Sequence, residues 1–321
     1  MSSQQPEILL HWYNSSPFAQ LCSWALNYKK VDFKLVAISP VEPRPLRRPL
    51  DGGYRKTPIL QIGNHVYCDS KAIFAELEKR YPEPSFYPKS AGGQSTNALS
   101  AAFSVWLTTS VFMGIVTQFP VHLLPDAFLK DRSAFSGQKM DKDQMAFAAP
   151  YLKHALRSEF AIAERLLSEN KENEWVLGTE TLSLADLHLA MDIWFANNMV
   201  GFEWTSKNIP SLVKHMEKTL KAVGYDSIED RPELSAKEAL EVARTQKIDF
   251  SGSHDGSLPI QLGQAVTVTP TDTGKVPSSG ILVHSTVNET VIKHDDEKAG
   301  TSVFIHFPAN AYVVFPQKSK L

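Results

Sequence analysis

The chain has 321 residues, 43% hydrophobic and 21% charged, with a formal net charge of -2. That balance suits a globular protein long enough for two domains and a small third piece, and it supplies no bulk positive field for nucleic acid or anionic lipid. Two cysteines, Cys22 and Cys68, are too few for a disulfide framework, so a reducing, cytoplasmic setting is expected.

MSSQQPEILL lacks a basic start ahead of an apolar core, so no signal peptide is expected. EILLHWY reads as a short buried strand, followed by Phe18, Leu21, Cys22 and Ala25 at helical spacing. Between them stands Ser15-Ser16-Pro17, and serine at the N-cap with proline at the first helical position is a helix opening in its own right. VDFKLVAI is a second strand. The loop from Ser39 to Tyr54 is rich in Pro, Arg and Gly, and its run RPLRR reads as a solvated loop rather than a binding patch. TPILQIG and HVYCD form a hairpin turning at Gly63-Asn64. Pro58 suits a strand start or edge, or a cis bond in a tight turn. SKAIFAELEKRYP is a helix that either Asp69 or Ser70 can cap, and YPEPSFYP has the proline density of a linker. Residues 6–88 therefore run βαβ, then ββα.

Residues 93–248 are helical, with helices expected near 94–119, 144–168, 183–198, 209–223 and 235–246. The segment from Ala101 to Val116 comes nearest to a membrane span, but its length and its Ser and Thr residues favour a buried helix, and no membrane is expected as a partner. In TLSLADLHLA, Ser183 and Asp186 form a short capping box, with Leu182 and Leu187 as its staple, which explains a carboxylate beside His188 without catalysis. DFSGSHDGSLP is a flexible join. Beyond it, residues 251–321 carry short runs rich in Val, Ile and Thr, the pattern of a compact antiparallel β module. His284, His294 and His306 are too scattered for a metal site, and none is expected.

Two of these openings carry chemistry. A strand-loop-helix at Ser15–Pro17 aims backbone N–H groups and the positive end of a helix dipole at one point, where a thiolate is stabilised. A serine hydroxyl there can donate to the sulfur anion. It is not a hydrolase nucleophile, because neither G-x-S-x-G nor a neighbouring His-Asp pair is present. At Asp69-Ser70, a carboxylate for an ammonium and a hydroxyl with a helix N-terminus for a carboxylate suit an α-amino-acid head group.

In order, strand-SSP-helix, T-P-strand and D-S-helix lead into an all-helical zone with a capped SLAD helix. Over roughly residues 6–225 this order resembles the glutathione transferases. The resemblance implies an α/β fold class: a thioredoxin-like glutathione-binding domain at 6–88, an all-α C-terminal domain at 93–248, and at 251–321 a small β module resembling the appendage of some long fungal transferase-like proteins. It is a serine-type member that is implied. The serine classes place the hydroxyl that meets the sulfur two residues before the proline, here Ser15. The cysteine classes place Cys directly before Pro-Phe, here Ser16. Both stand as candidates, with Ser15 preferred for the sulfur and Ser16 for the cap. The absence of Cys at either argues against thiol–disulfide exchange, and Cys22 reads as core.

By the same resemblance, Pro58 is the family's cis-proline and Thr57 pairs through its backbone with the cysteinyl part of glutathione. Asp69 and Ser70 hold the γ-glutamyl end, and Lys56, Arg55 or Arg48 meets the glycine carboxylate. Phe103, Trp106, Phe112 and Met113 are the candidates for the second substrate, although helical aromatics are more often core than pocket and some of the four are core in either case. The implied function is conjugation of glutathione, as co-substrate, to a small hydrophobic electrophile in detoxification or secondary metabolism, by a homodimer. Two alternatives stand beside it. One is a non-catalytic binding or regulatory protein on the same scaffold. The other is a glutathione-dependent isomerase, whose usual motif has Cys where Pro17 stands.

Overall fold

The computed structural model describes residues 5–170 and 175–317; the first four residues of the expected leaderless N-terminus lie outside the described residues. The first elements are β1 (Ile8–Trp12), α1 (Pro17–Tyr28), β2 (Lys34–Ala37), α2 (Arg48–Asp51), β3 (Ile59–Ile62), β4 (His65–Cys68) and α3 (Ser70–Arg80). β1 pairs parallel with β2 and antiparallel with β3, and β3 turns into β4 at Gly63-Asn64 as expected. Gly63 has φ 56°, and a Cβ there would lie 2.5 Å from the Gln246 carbonyl oxygen, so both conformation and space demand glycine. Strand alternation divides the sheet. Leu10, Trp12, Leu60, Ile62 and Tyr67 pack with α1 and α3, while Leu9, Val36, Ile59, Val66 and Cys68 belong to a second core.

The helical region comprises α4 (Asn97–Trp106), a π-helical turn (Leu107–Val111), α5 (Phe112–Val116), α6 (Asp126–Ser136), α7 (Lys142–Glu169), α8 (Leu184–Met199), α9 (Phe202–Asn208) and α10 (Pro210–Ala222). α8 lies at its centre, against α1, α4, α5 and α10. Its start is the expected capping box. The Asp186 Oδ2 accepts from the Ser183 N–H (2.9 Å) and hydroxyl (2.5 Å), its Oδ1 accepts from the Val176 N–H (2.8 Å), and Leu182 and Leu187 are buried.

The stretch 97–116 departs from expectation. It is long and apolar enough by length and composition to cross a membrane, yet only 28% of its most apolar window is buried. Ser100, Phe103, Leu107, Val111 and Ile115 form the buried stripe at i, i+3/i+4 spacing, while Leu99, Val105 and Met113 are exposed. Its apolar composition hid a one-sided helix.

Last come α11 (Ala236–Thr245), β5 (Ala265–Pro270), β6 (Ser278–Ser285), β7 (Glu289–Asp296), β8 (Thr301–Pro308) and β9 (Tyr312–Pro316). β5 to β9 pair antiparallel with one another, and β8 also pairs parallel with β4. Among the described residues one nine-stranded sheet results, in the order β2-β1-β3-β4-β8-β7-β6-β5-β9. The sheet curls, so that Tyr312 on its last strand returns to Phe307 and Tyr54. α11, expected within the helical zone, instead covers the second face of the sheet. Its Ala239, Leu240, Val242 and Ala243 enter the second core, and the Ala239 carbonyl accepts from Gln61 Nε2 at 2.9 Å.

Candidate functional site

Register brings the expected site together. Ile59 is paired with both His11 and Cys68, so the residues after β1, before β3 and after β4 leave the sheet at the same end. Those residues are Ser15–Pro17, Thr57–Pro58 and Asp69–Ser70.

At the first junction the Ser16 N–H donates to the Tyr13 carbonyl at 3.0 Å, closing a turn over Asn14 and Ser15. Gln20 Nε2 holds that turn from inside α1, donating to the Asn14 carbonyl (2.8 Å) and Oδ1 (2.6 Å). Ser16 is buried and caps α1, its Oγ accepting from the Ala19 N–H at 3.4 Å, while Ser15 is exposed. The two serines are thus divided between structure and surface. Cys22 is fully buried, and burial pushes its thiol well up, as it does for Cys68, so neither sulfur is activated.

The Thr57–Pro58 bond is cis, and Pro58 also stands directly before β3, so both readings of it from the sequence hold. The loop before it is organised by arginines. Arg47 donates to the Asp51 carboxylate (2.6 Å), the Tyr54 and Lys56 carbonyls (2.6 and 3.0 Å) and Thr57 Oγ1 (3.1 Å). Arg44 donates to the Ser39, Pro40 and Arg55 carbonyls. Both are buried, so RPLRR is not a solvated loop: its guanidiniums satisfy the carbonyls of a segment that has little regular structure. Burial pushes the Asp51 carboxyl up, with Arg47 and Arg48 opposing it.

Asp69 has φ 84° and caps α3, its Oδ1 accepting from the Lys71 N–H at 3.0 Å. Its Oδ2 accepts from the Tyr312 hydroxyl, also at 3.0 Å. Ser70 is half-buried in the first turn of the helix. The three cations expected near a glycine carboxylate are each paired already: Lys56 with both Asp272 oxygens (2.6 and 2.7 Å), Arg55 with Asp131 (2.9 Å), and Arg48 with Glu42 (2.7 Å) and Asp51 (3.3 Å).

The four residues expected at the second substrate divide. Phe112 packs on Phe18 of α1 with ring centroids 5.0 Å apart, and on Phe195 at 5.2 Å, at the junction. Phe103 is buried against Trp106, whose Nε1 donates to Glu159 at 2.8 Å, so this pair stands within the helical region. Met113 is 48% exposed. The sequence reading missed Arg47, Tyr54, Asp272 and Tyr312. Arg47 and Asp51 stand four apart and could have been read as a helical ion pair. Tyr54 and Tyr312 lie 258 residues apart and offer no local signal.

Residues 10–85 match the family model of the glutathione S-transferase N-terminal domain, and residues 113–207 match a domain of unknown function (DUF7962). No curated protein matches the chain. Among solved structures, a GST-like protein from Pseudomonas syringae superposes with a TM-score of 0.74 at 24% identity, over 97% of this chain and 100% of that one. That coverage necessarily extends into the C-terminal strands. The transferase GSTFuA3 from Phanerochaete chrysosporium (TM-score 0.55, 20% identity) covers 68% of this chain and 98% of its own. A glutathione S-transferase from Methylobacterium radiotolerans in complex with glutathione sulfonate (TM-score 0.50, 19% identity) covers 71% and 96%. The chain is a protein of the glutathione-transferase fold, with a thioredoxin-like N-terminal domain and additional C-terminal strands that join its sheet.

Proposed function

We propose that the residues gathered at this end of the sheet bind glutathione and that the chain conjugates it to a small hydrophobic electrophile. The observation that supports this best is the convergence of the exposed Ser15 at the N-terminus of α1, the cis Thr57–Pro58 bond, and the Asp69–Ser70 opening of α3. In this reading the Ser15 hydroxyl and the dipole of α1 stabilise the cofactor's thiolate, which is the attacking nucleophile. The Thr57 backbone pairs with the cysteinyl unit. Asp69 takes the α-ammonium, while Ser70 and the first turn of α3 take the α-carboxylate. The electrophile lies beside Phe18 and Phe112, held close to the sulfur. Self-association would use the exposed apolar residues Leu99, Val105 and Met113, with Phe147 and Tyr151 of α7.

Calorimetry with glutathione sulfonate and initial rates with a chlorodinitrobenzene test the reading: saturable binding and conjugation that Ser15→Ala suppresses are expected. A native chain that binds no glutathione analogue removes it. A second reading, a binding protein without turnover, is favoured by one observation. Lys56, Arg55 and Arg48, the cations expected at the glycine carboxylate, are all paired within the chain. Binding without conjugation would select it.

A further inference from the structure

The Tyr312 hydroxyl stands 3.0 Å from Asp69 Oδ2 and 3.2 Å from the Tyr54 hydroxyl. A carboxylate only accepts, so the single Tyr312 hydrogen goes to Asp69 and Tyr54 donates to the Tyr312 oxygen behind it. Both rings are buried, and Tyr312 is wedged against Phe307 with centroids 5.4 Å apart. Burial pushes both phenols well up, so both keep the hydrogens this row requires. The other Asp69 oxygen is committed to the Lys71 N–H. The carboxylate is therefore gripped at both oxygens, one from its own helix and one from the far edge of the sheet. Each oxygen keeps a second lone pair for an incoming N–H donor.

We propose that Tyr312 is a positioning residue for the site: by fixing the Asp69 carboxylate it sets the seat for the ammonium of an α-amino-acid head group, which makes the C-terminal strands part of that site. This rests on the reading of Asp69 given above. The effect is specific to one ligand group. A ligand that lacks the α-ammonium has nothing to gain from an ordered carboxylate.

The experiment compares native chain and Tyr312→Phe, which keeps the ring against Phe307, by calorimetry with glutathione and with its analogue lacking the α-amino group, glutaryl-cysteinylglycine. Circular dichroism and a thermal melt verify the fold. Tyr312→Phe is expected to weaken glutathione about fivefold, the scale of one lost hydrogen bond, and to leave the analogue unchanged. An equal loss on both ligands, or no loss on either, overturns the positioning role while the glutathione reading stands. A native chain that binds neither ligand overturns both, so the two failures are told apart. Should Tyr312→Phe not fold, Tyr54→Phe, which removes the donor behind Tyr312, is read on the same pair: loss confined to glutathione supports the role, and any other pattern overturns it.

Discussion

At the scale of single residues, the neighbouring serines should separate in experiment. Ser16 is buried and its Oγ accepts from the Ala19 N–H, so Ser16→Ala is expected to destabilise the protein by about 1 kcal/mol. Ser15 is exposed and outside that cap, so Ser15→Ala should leave the thermal midpoint alone. If its hydroxyl faces the thiolate, conjugation falls about 100-fold, the scale of one removed anion-stabilising donor. Melting curves and initial rates on the two variants decide it; turnover lost in Ser16→Ala alone would reverse the assignment. The sequence could offer both serines but not divide them. Burial depends on how the turn over Asn14 closes, and Gln20 arranges that from the second turn of the helix.

At the scale of elements, the segment before Thr57 is as sensitive as the core. Asp51 has no exposed surface and answers both Arg47 and Arg48. Asp51→Ala leaves Arg47 buried without its counter-charge and is expected to cost about 3 kcal/mol, read as a shifted urea midpoint. Because Arg47 also holds Thr57, the variant should weaken any ligand that pairs with that backbone. Elements whose signals are local were legible: the Ser183–Asp186 box lies within one turn, and the β3–β4 hairpin turns where Gly63 takes positive φ. α6 was not, because Leu129 is its one buried side chain and so it shows no apolar period; its marks are Asp126 in the first turn and Gly137, φ 74°, at its end. α11 was found but misplaced. An amphipathic pattern says that a face is covered, not what covers it.

At the scale of the whole molecule, the second core is shared by both ends of the chain: Leu9, Val36 and Val66 meet Val268, Ile292 and Ile305. The expected boundary at 251 therefore falls within one continuous sheet. A chain cut after residue 250 should lose cooperative unfolding and aggregate, where a detachable module would leave a sharp melt. The same burial sets a pH response. His11, His65 and His188 are each lowered from 6.5 to about 4, burial being the main cause. The unfolded chain takes up these protons below about 6.5, whereas the folded chain resists until about 4. Stability is thus complete above pH 6.5 and falls as the pH drops toward 4, by up to about 1.4 kcal/mol per unit for each His. Urea midpoints at pH 7 and pH 5 test this, and equal values would contradict it. The pairing of β4 with β8 also has a consequence in time. His65 and His306, whose ring nitrogens meet at 2.9 Å across that seam, are 241 residues apart. At about 5–20 residues per second, a ribosome needs roughly ten to fifty seconds to deliver the second after the first. Throughout that interval the β4 edge is bare, an invitation to wrong pairing and to chaperones. Asp69 gains its Tyr312 partner only after β8 and β9 have emerged, so the site is completed well after the domain that carries most of it.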